Sequence, residues 1–135
     1  LADALLDVSV DPIAPLGRGS SEERAYAAAE AADDRKGEDI LILDVSEISY
    51  LAEYFLIVTA FSRTQVRAIA ESVIERLADE FGVKPNHTSG KSDATWFLLD
   101  YGDLIVHVML PQEREFYNLE AFWNQGRRIE FVSER

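Results

Sequence analysis

The clearest helical pattern in the chain runs from Ser62 to Gly82. Hydrophobic residues recur there at the spacing of three or four that places them on one helix face. These residues are Val66, Ile69, Ala70, Val73, Ile74, Leu77, Ala78 and Phe81. Ser62 followed by Gln65 is typical of a capping box, and Gly82 followed by Pro85 is typical of a helix end. The pattern therefore predicts an amphipathic helix whose charged face lies in solvent.

Two further helices are predicted from their end signals. Ser20 and Glu23 form a second capping-box pair, and the alanine-rich residues 22–36 lead to Gly37. We expect a helix there that is closed by a glycine cap. A proline at the start of residues 111–123 suits the first turn of a helix, so this segment is predicted to form one continuous helix.

Two short apolar runs, residues 40–43 and 54–60, are rich in strand-forming side chains. Neither run alternates between hydrophobic and polar positions, which favours strands covered on both faces by other elements. Such strands suggest a sheet that carries helices, and we expect an α/β fold with a mixed sheet.

Residues 94–110 are predicted to form a β-hairpin with Tyr101–Gly102 as a two-residue turn. This register pairs Trp96 with His107, Leu98 with Ile105 and Asp100 with Asp103, all on one face. The opposite face is wholly apolar and is predicted to be core: Phe97, Leu99, Leu104, Val106 and Val108. Since the first face combines large apolar groups with two carboxylates and an imidazole, we expect the functional site there.

The 135 residues suit one domain, which we assign to residues 21–123. Residues 1–20 are expected to be a loose lead-in, and residues 124–135 a polar, frayed tail. With 25 acidic and 13 basic side chains the formal net charge is −12, which disfavours direct binding to a nucleic-acid backbone and favours a basic protein partner. The chain contains no cysteine, which fits a reducing compartment, and we expect a cytoplasmic protein.

Asp100 and Asp103 need an explanation, because like charges placed opposite each other on paired strands repel. Three explanations stay open. The turn itself could use the two carboxylates as hydrogen-bond acceptors, a basic partner could meet them, or they could bind a divalent cation together with His107. His107 lies in an apolar strand, where a hydrogen-bonded structural histidine is commoner than a ligand or a base. For Trp96, burial in the core and exposure in an interface are equally favoured by the pattern.

The chain resembles the Iojap-related ribosomal silencing factors along residues 22–123. The most specific matches are Trp96-Phe97-Leu98-Leu99-Asp100-Tyr101-Gly102-Asp103 with Val106-His107-Val108, and then Arg114-Glu115-Phe116-Tyr117-Asn118-Leu119-Glu120-Ala121-Phe122-Trp123. One departure is Ala60–Phe61, which stands where the family has a small glycine-containing turn.

The resemblance implies a nucleotidyltransferase-like α/β fold without transferase chemistry, and so no cofactor and no catalytic residue. It also implies binding to a large-subunit ribosomal protein of the uL-fourteen type, which blocks association of the ribosomal subunits and represses translation when nutrients are scarce. The partner-binding residues are then expected to be Trp96, Leu98, Asp100, Asp103, Ile105 and His107. No direct nucleic-acid or membrane partner is expected. The runner-up is a divalent-metal-dependent nucleotidyltransferase that uses the two aspartates, and a third interpretation is a plain dimerisation module.

The predicted helix 111–123 carries more aromatic surface than one buried stripe can hide. A homodimer is the commonest outcome of such a surplus, and the resemblance makes it plausible too. The candidate dimer residues are Phe116, Tyr117, Leu119, Phe122 and Trp123.

Overall fold

A computed structural model describes residues 19–135 and has one six-stranded mixed sheet with helices, which confirms the predicted α/β class. The elements in chain order are α1 (Ser21–Asp34), β1 (Glu38–Asp44), β2 (Tyr54–Thr59), α2 (Arg63–Phe81), β3 (His87–Ser89), β4 (Trp96–Asp100), β5 (Leu104–Met109), α3 (Pro111–Tyr117), α4 (Leu119–Phe122) and β6 (Arg127–Ile129). Most of the expected lead-in, residues 1–18, lies outside the described residues.

The strands are ordered β3-β4-β5-β2-β1-β6 across the sheet. Strands β2 and β5 run parallel, and every other neighbouring pair is antiparallel. All six residues of β2 are buried, as the unbroken apolar run predicted, because β2 lies inside the sheet with side chains packed on both faces.

The two faces of the sheet are covered unequally. Helices α1 and α2 pack on one face and close the main core, which includes the alanines of α1 together with Leu56, Val58, Phe97, Leu99, Leu104, Val106 and Val108. A smaller cluster lies on the opposite face: Leu43, Val45, Ala52 and Phe55, with Trp123 packed against it. We call this second side of the sheet the open face, because much of the β4–β5 hairpin on it has no helix above it.

Helix α2 has the predicted caps with one change. Ser62 Oγ accepts a hydrogen bond from Gln65 N at 3.0 Å, but the Gln65 side chain accepts from Phe61 N instead of from Ser62 N. The box is therefore half complete. Gly82 closes the helix in the left-handed region, with φ +70°.

Helix α1 begins with the predicted capping box between Ser20 and Glu23. The predicted glycine cap at its other end is wrong, because Arg35 is the C-cap and Lys36 takes the positive φ of +65°. Gly37 is needed for space instead, since an added Cβ would lie 2.6 Å from a methyl group of Val58.

Two expectations for the C-terminal part are also wrong. The helix predicted over residues 111–123 is broken into α3 and α4 at Asn118, which has φ +47°, a left-handed conformation that asparagine tolerates better than most residues. Residues 124–135 are not frayed, because β6 pairs antiparallel with β1 and Phe131 packs on Tyr26 with ring centroids 5.2 Å apart. The domain therefore extends beyond residue 123.

The hairpin forms as predicted, but its turn is displaced by one residue. Tyr101 N donates to Leu104 O at 2.8 Å, so Gly102 and Asp103 are the two turn residues. Gly102 has φ +90°, a conformation that favours glycine. The observed pairs are Trp96 with Met109, Leu98 with His107 and Asp100 with Ile105, so the predicted register is wrong.

Candidate functional site

The open face of the β4–β5 hairpin carries five of the six predicted partner-binding residues. The one-residue displacement of the turn shifts the pairing of the strands by two residues. Because side chains alternate with a period of two, even-numbered residues of β4 still share a face with odd-numbered residues of β5. Trp96, Leu98, Asp100 and Ile105 are partly exposed, and His107 is buried. The reverse face is buried as predicted. A partly exposed apolar surface with the carboxylate of Asp100 at one end is suited to contact with another protein.

His107 is fixed by Trp96. The indole Nε1 of Trp96 donates a hydrogen bond to Nδ1 of His107 at 3.1 Å, so the imidazole carries its proton on Nε2. Burial lowers the pKa of His107 to about 4, which keeps the ring neutral near pH 7. The predicted structural role of His107, as a hydrogen-bonded histidine in an apolar strand, fits this geometry.

An aromatic cluster extends from this pair across the open face. The ring of Phe55 meets His107 edge-on with centroids 5.6 Å apart, and Trp123 meets Phe55 at 5.0 Å. On the other side, Tyr117 of α3 lies 4.8 Å from Trp96. These centroid distances are those of favourable aromatic pairs. Sequence reasoning missed Phe55 as part of the site, because a residue in an unbroken apolar run gives no sign of which face it occupies.

The two aspartates of the hairpin do not act as one pair. Asp100 Oδ1 accepts a hydrogen bond from Gly102 N at 2.8 Å, which is the turn role weighed for it from the sequence. Asp103 instead pairs with Arg24 of α1, on the helix side of the sheet. The side chains of Arg24 and Asp103 are 5% and 19% exposed. The prediction that Asp103 lies opposite Asp100 on the functional face is therefore wrong.

A cluster of three or more His, Cys, Asp or Glu side chains that could hold a metal ion is absent from residues 19–135. Over the same residues, the helices are too short or too polar to cross a membrane.

Arg114 holds the α3–α4 segment at the end of β2. Its Nη1 donates to Thr59 Oγ1 at 2.8 Å and to Asp39 O at 2.6 Å, and its Nε donates to Glu120 at 3.0 Å. One guanidinium therefore joins both short helices to two strands. This anchor places the aromatic side chains of the segment beside the open face, although no hydrophobic period in the sequence could have revealed it.

The aromatic surplus on α3 and α4 is exposed, as the sequence led us to expect. Phe116, Tyr117 and Phe122 are 80%, 51% and 75% exposed. Leu119 is half-buried, and Trp123 is half-buried with its ring packed on Phe55. Three of the five candidate dimer residues therefore offer most of the exposed aromatic surface of α3 and α4.

A comparison with known protein families matches residues 18–135 to the family described as "Ribosomal silencing factor during starvation". Among curated proteins, the chain is similar to ribosomal silencing factor RsfS of Bacillus subtilis, with 47% identity over 99 residues that cover 73% of this chain and 83% of that protein. It is also similar to the chloroplastic protein Iojap of Arabidopsis thaliana, with 38% identity over 84% of this chain and 48% of that longer protein.

Two crystal structures share the fold. A protein from Chromobacterium violaceum superimposes with a TM-score of 0.76 and 36% identity, covering 87% of this chain and 98% of that one. A protein from Bacillus halodurans gives a TM-score of 0.70 and 36% identity, covering 82% of this chain and 100% of that one. The match to residues 18–135 also includes the segment after residue 123, where the resemblance along residues 22–123 ends.

Proposed function

Because the chain belongs to the family of ribosomal silencing factors, we propose that it binds a large-subunit ribosomal protein of the uL-fourteen type and so blocks association of the ribosomal subunits. The result is repression of translation under nutrient limitation. The observation that carries this proposal is the open face of the β4–β5 hairpin, where Trp96, Leu98 and Ile105 leave apolar surface partly exposed beside Asp100.

The charge of the chain supports a protein partner of opposite sign. The formal net charge is −12, and proteins that sit on ribosomal RNA are generally basic. Opposite charges speed the encounter of two proteins, whereas the buried apolar contacts at the centre hold the complex together. We assign the central contacts to Leu98 and Ile105, and we assign a supporting role to Trp96 and the buried His107.

The experiment is co-sedimentation with washed large and small ribosomal subunits, run separately. Leu98→Asp introduces a charge at the centre of the open face and should abolish binding to the large subunit. The matched control is Val132→Asp, which adds the same charge at a residue that is 62% exposed and outside the open face. We expect the control to bind like the wild type. The proposal is wrong if the wild type does not bind large subunits, or if Leu98→Asp binds as tightly as Val132→Asp.

We propose further that the free protein forms a homodimer through Phe116, Tyr117 and Phe122. Their exposure on two adjacent short helices supports this, because an apolar patch of this kind is seldom left in water. Light scattering at tens of micromolar should give the mass of a dimer. A Phe116→Ser, Phe122→Ser double variant should then give a monomer, and a monomeric wild type would refute the dimer.

We propose that the protein acts by binding and not by catalysis. Several relatives that match over most of the chain are named as ribosomal silencing factors. In addition, Asp100 is engaged in a turn and Asp103 in an ion pair, so these two carboxylates are not arranged to share a cation. Calorimetry with Mg²⁺ and each nucleoside triphosphate should reveal no binding tighter than about 1 mM, an affinity worth about 4 kcal/mol. Micromolar binding that is lost in an Asp100→Asn, Asp103→Asn double variant would favour the nucleotidyltransferase alternative.

A further inference from the structure

The loop that joins β1 to β2, residues 45–53, presents apolar side chains to solvent. Ile48, Tyr50 and Leu51 are 44%, 108% and 71% exposed. Within residues 19–135, these are three of the eight large hydrophobic side chains that are exposed. The free apolar surface is therefore concentrated in this loop as well as in α3 and α4.

The loop is held in shape by its own hydrogen bonds. Val45 N donates to Glu53 O at 2.8 Å across the base of the loop, and the N–H groups of Ile48 and Ser49 both donate to Val45 O. At the tip, Leu51 N donates to Ser49 Oγ at 3.0 Å. A loop that is ordered before it meets a partner loses less conformational entropy on binding. These bonds favour a formed contact surface over a loose connection.

The loop borders the open face at the hairpin turn. Glu53 N donates to Asp103 O at 2.9 Å, which ties the end of the loop to the turn. Val45 at one end of the loop and Ala52 next to the other end are buried in the open-face cluster, against which Ile105 packs. A partner that covers Ile105 therefore reaches the base of the loop directly.

The charges around the loop are acidic. Asp44, Glu47 and Glu53 flank the three apolar side chains, and Arg127 is the basic group that pairs with Asp44, at 2.8 Å. An apolar ridge with acidic flanks fits a basic protein surface that has an apolar centre. A second copy of this chain would bring two acidic rims together, and the phosphates of nucleic acids or anionic lipids would be repelled.

We propose that Ile48, Tyr50 and Leu51 form a second contact with the same basic protein partner that covers Leu98 and Ile105. This inference rests on the proposed function, because it extends the same binding site to a new element. The tyrosine is expected to contribute most, since tyrosines that become buried in interfaces are common binding hot spots. The acidic flanks act mainly on the rate of association.

The first test titrates washed large subunits with a Tyr50→Ser, Leu51→Ser double variant. We expect at least tenfold weaker binding with an unchanged midpoint of urea unfolding, because neither side chain is part of the core. The control is Phe61→Ser, which removes a side chain of similar character that is 63% exposed at the opposite end of β2. The control should bind like the wild type.

The second test uses charge. Glu47→Lys should slow association with the large subunit, whereas Glu75→Lys, which makes the same change in net charge on the exposed face of α2, should alter the rate much less. Equal rates for the two variants would contradict a basic partner at the loop.

The outcomes separate this inference from the proposed function. If the loop double variant binds like the wild type while Leu98→Asp does not bind, the loop contact is wrong and the proposed function stands. If the wild type fails to bind large subunits, both are wrong. If the Tyr50→Ser, Leu51→Ser variant loses self-association in light scattering but keeps subunit binding, the loop contacts a second copy of this chain. The inference is then overturned.

Discussion

Trp96 and His107 are hydrogen-bonded although they are not paired across the hairpin. In the register of the strands Trp96 is paired with Met109 and His107 with Leu98, yet the indole of Trp96 donates to His107 Nδ1 at 3.1 Å. The long indole reaches diagonally to the next position on the same face, a distance that aromatic side chains can span. The buried imidazole thus obtains the partner that a buried polar group requires.

Removing the indole donor should destabilise the fold. Trp96→Phe keeps an aromatic ring but leaves Nδ1 of the buried His107 without its donor, which costs roughly 1 to 3 kcal/mol. Urea unfolding measures the loss. The control is Trp123→Phe, since Trp123 meets Phe55 through ring packing. Equal losses in the two variants would show that the hydrogen bond contributes little.

The protein should be less stable in mild acid, because His107 takes up a proton when the chain unfolds. Burial holds its pKa at about 4, below the ordinary 6.5, so between these values the unfolded chain takes up a proton that the folded protein does not. Stability should therefore fall by about 1.4 kcal/mol for each pH unit as the pH drops through this window, with no such loss above it. In His107→Gln the amide oxygen can still accept a hydrogen bond from Trp96. This part of the dependence of stability on pH should disappear in that variant. Unfolding midpoints measured from pH 7 to pH 4.5 compare the two proteins, and identical slopes would contradict the assignment.

Phe97 should be needed for stability and not for binding. Its side chain is 3% exposed and packs in the main core on the helix side of the sheet. Phe97→Ala should cost roughly 3 to 5 kcal/mol of unfolding free energy. At a temperature where the variant is still folded, its affinity for large subunits should equal that of the wild type. Some affinity is lost simply because part of the variant is unfolded. A loss larger than this would place Phe97 at the interface.

Reversing the charge of Asp103 should act on the fold. Asp103→Lys sets a second cation beside the buried guanidinium of Arg24, and breaking a buried ion pair typically costs about 3 to 5 kcal/mol. Asp93→Lys changes the net charge equally at an exposed residue and should have little effect on the urea midpoint. If both variants unfold at the same urea concentration, the Arg24–Asp103 pair is not important for stability.

Local signals in the sequence were sufficient for helix α2, for the buried strand β2 and for the two faces of the hairpin strands. Helix α2 follows from its hydrophobic period, and the faces follow from alternation, which does not depend on where the turn falls. The turn itself was misplaced because both Tyr101–Gly102 and Gly102–Asp103 contain the glycine that a tight turn needs. The hydrogen bond from Tyr101 N to Leu104 O distinguishes them, and the sequence does not show it.

Contacts between distant residues were beyond the reach of the sequence pattern. Nothing local to Asp103 indicates that Arg24 will lie beside it, and nothing near Arg114 indicates its bonds to Thr59 and Glu120. Strand β6 was missed for a different reason. Ile129 of the strand and Phe131 just after it alternate with charged residues, and those charged residues favour a solvated tail.

The pairing of β6 with β1 constrains the order in which the protein can finish folding. Residues 127–129 are synthesised after every other described element, whereas their partner β1 is among the first to be made. Contacts between parts so far apart in sequence form slowly, and an unpaired strand edge is open to other chains in the meantime. During its own synthesis the chain therefore holds one edge of β1 open until β6 has been made and has paired with it.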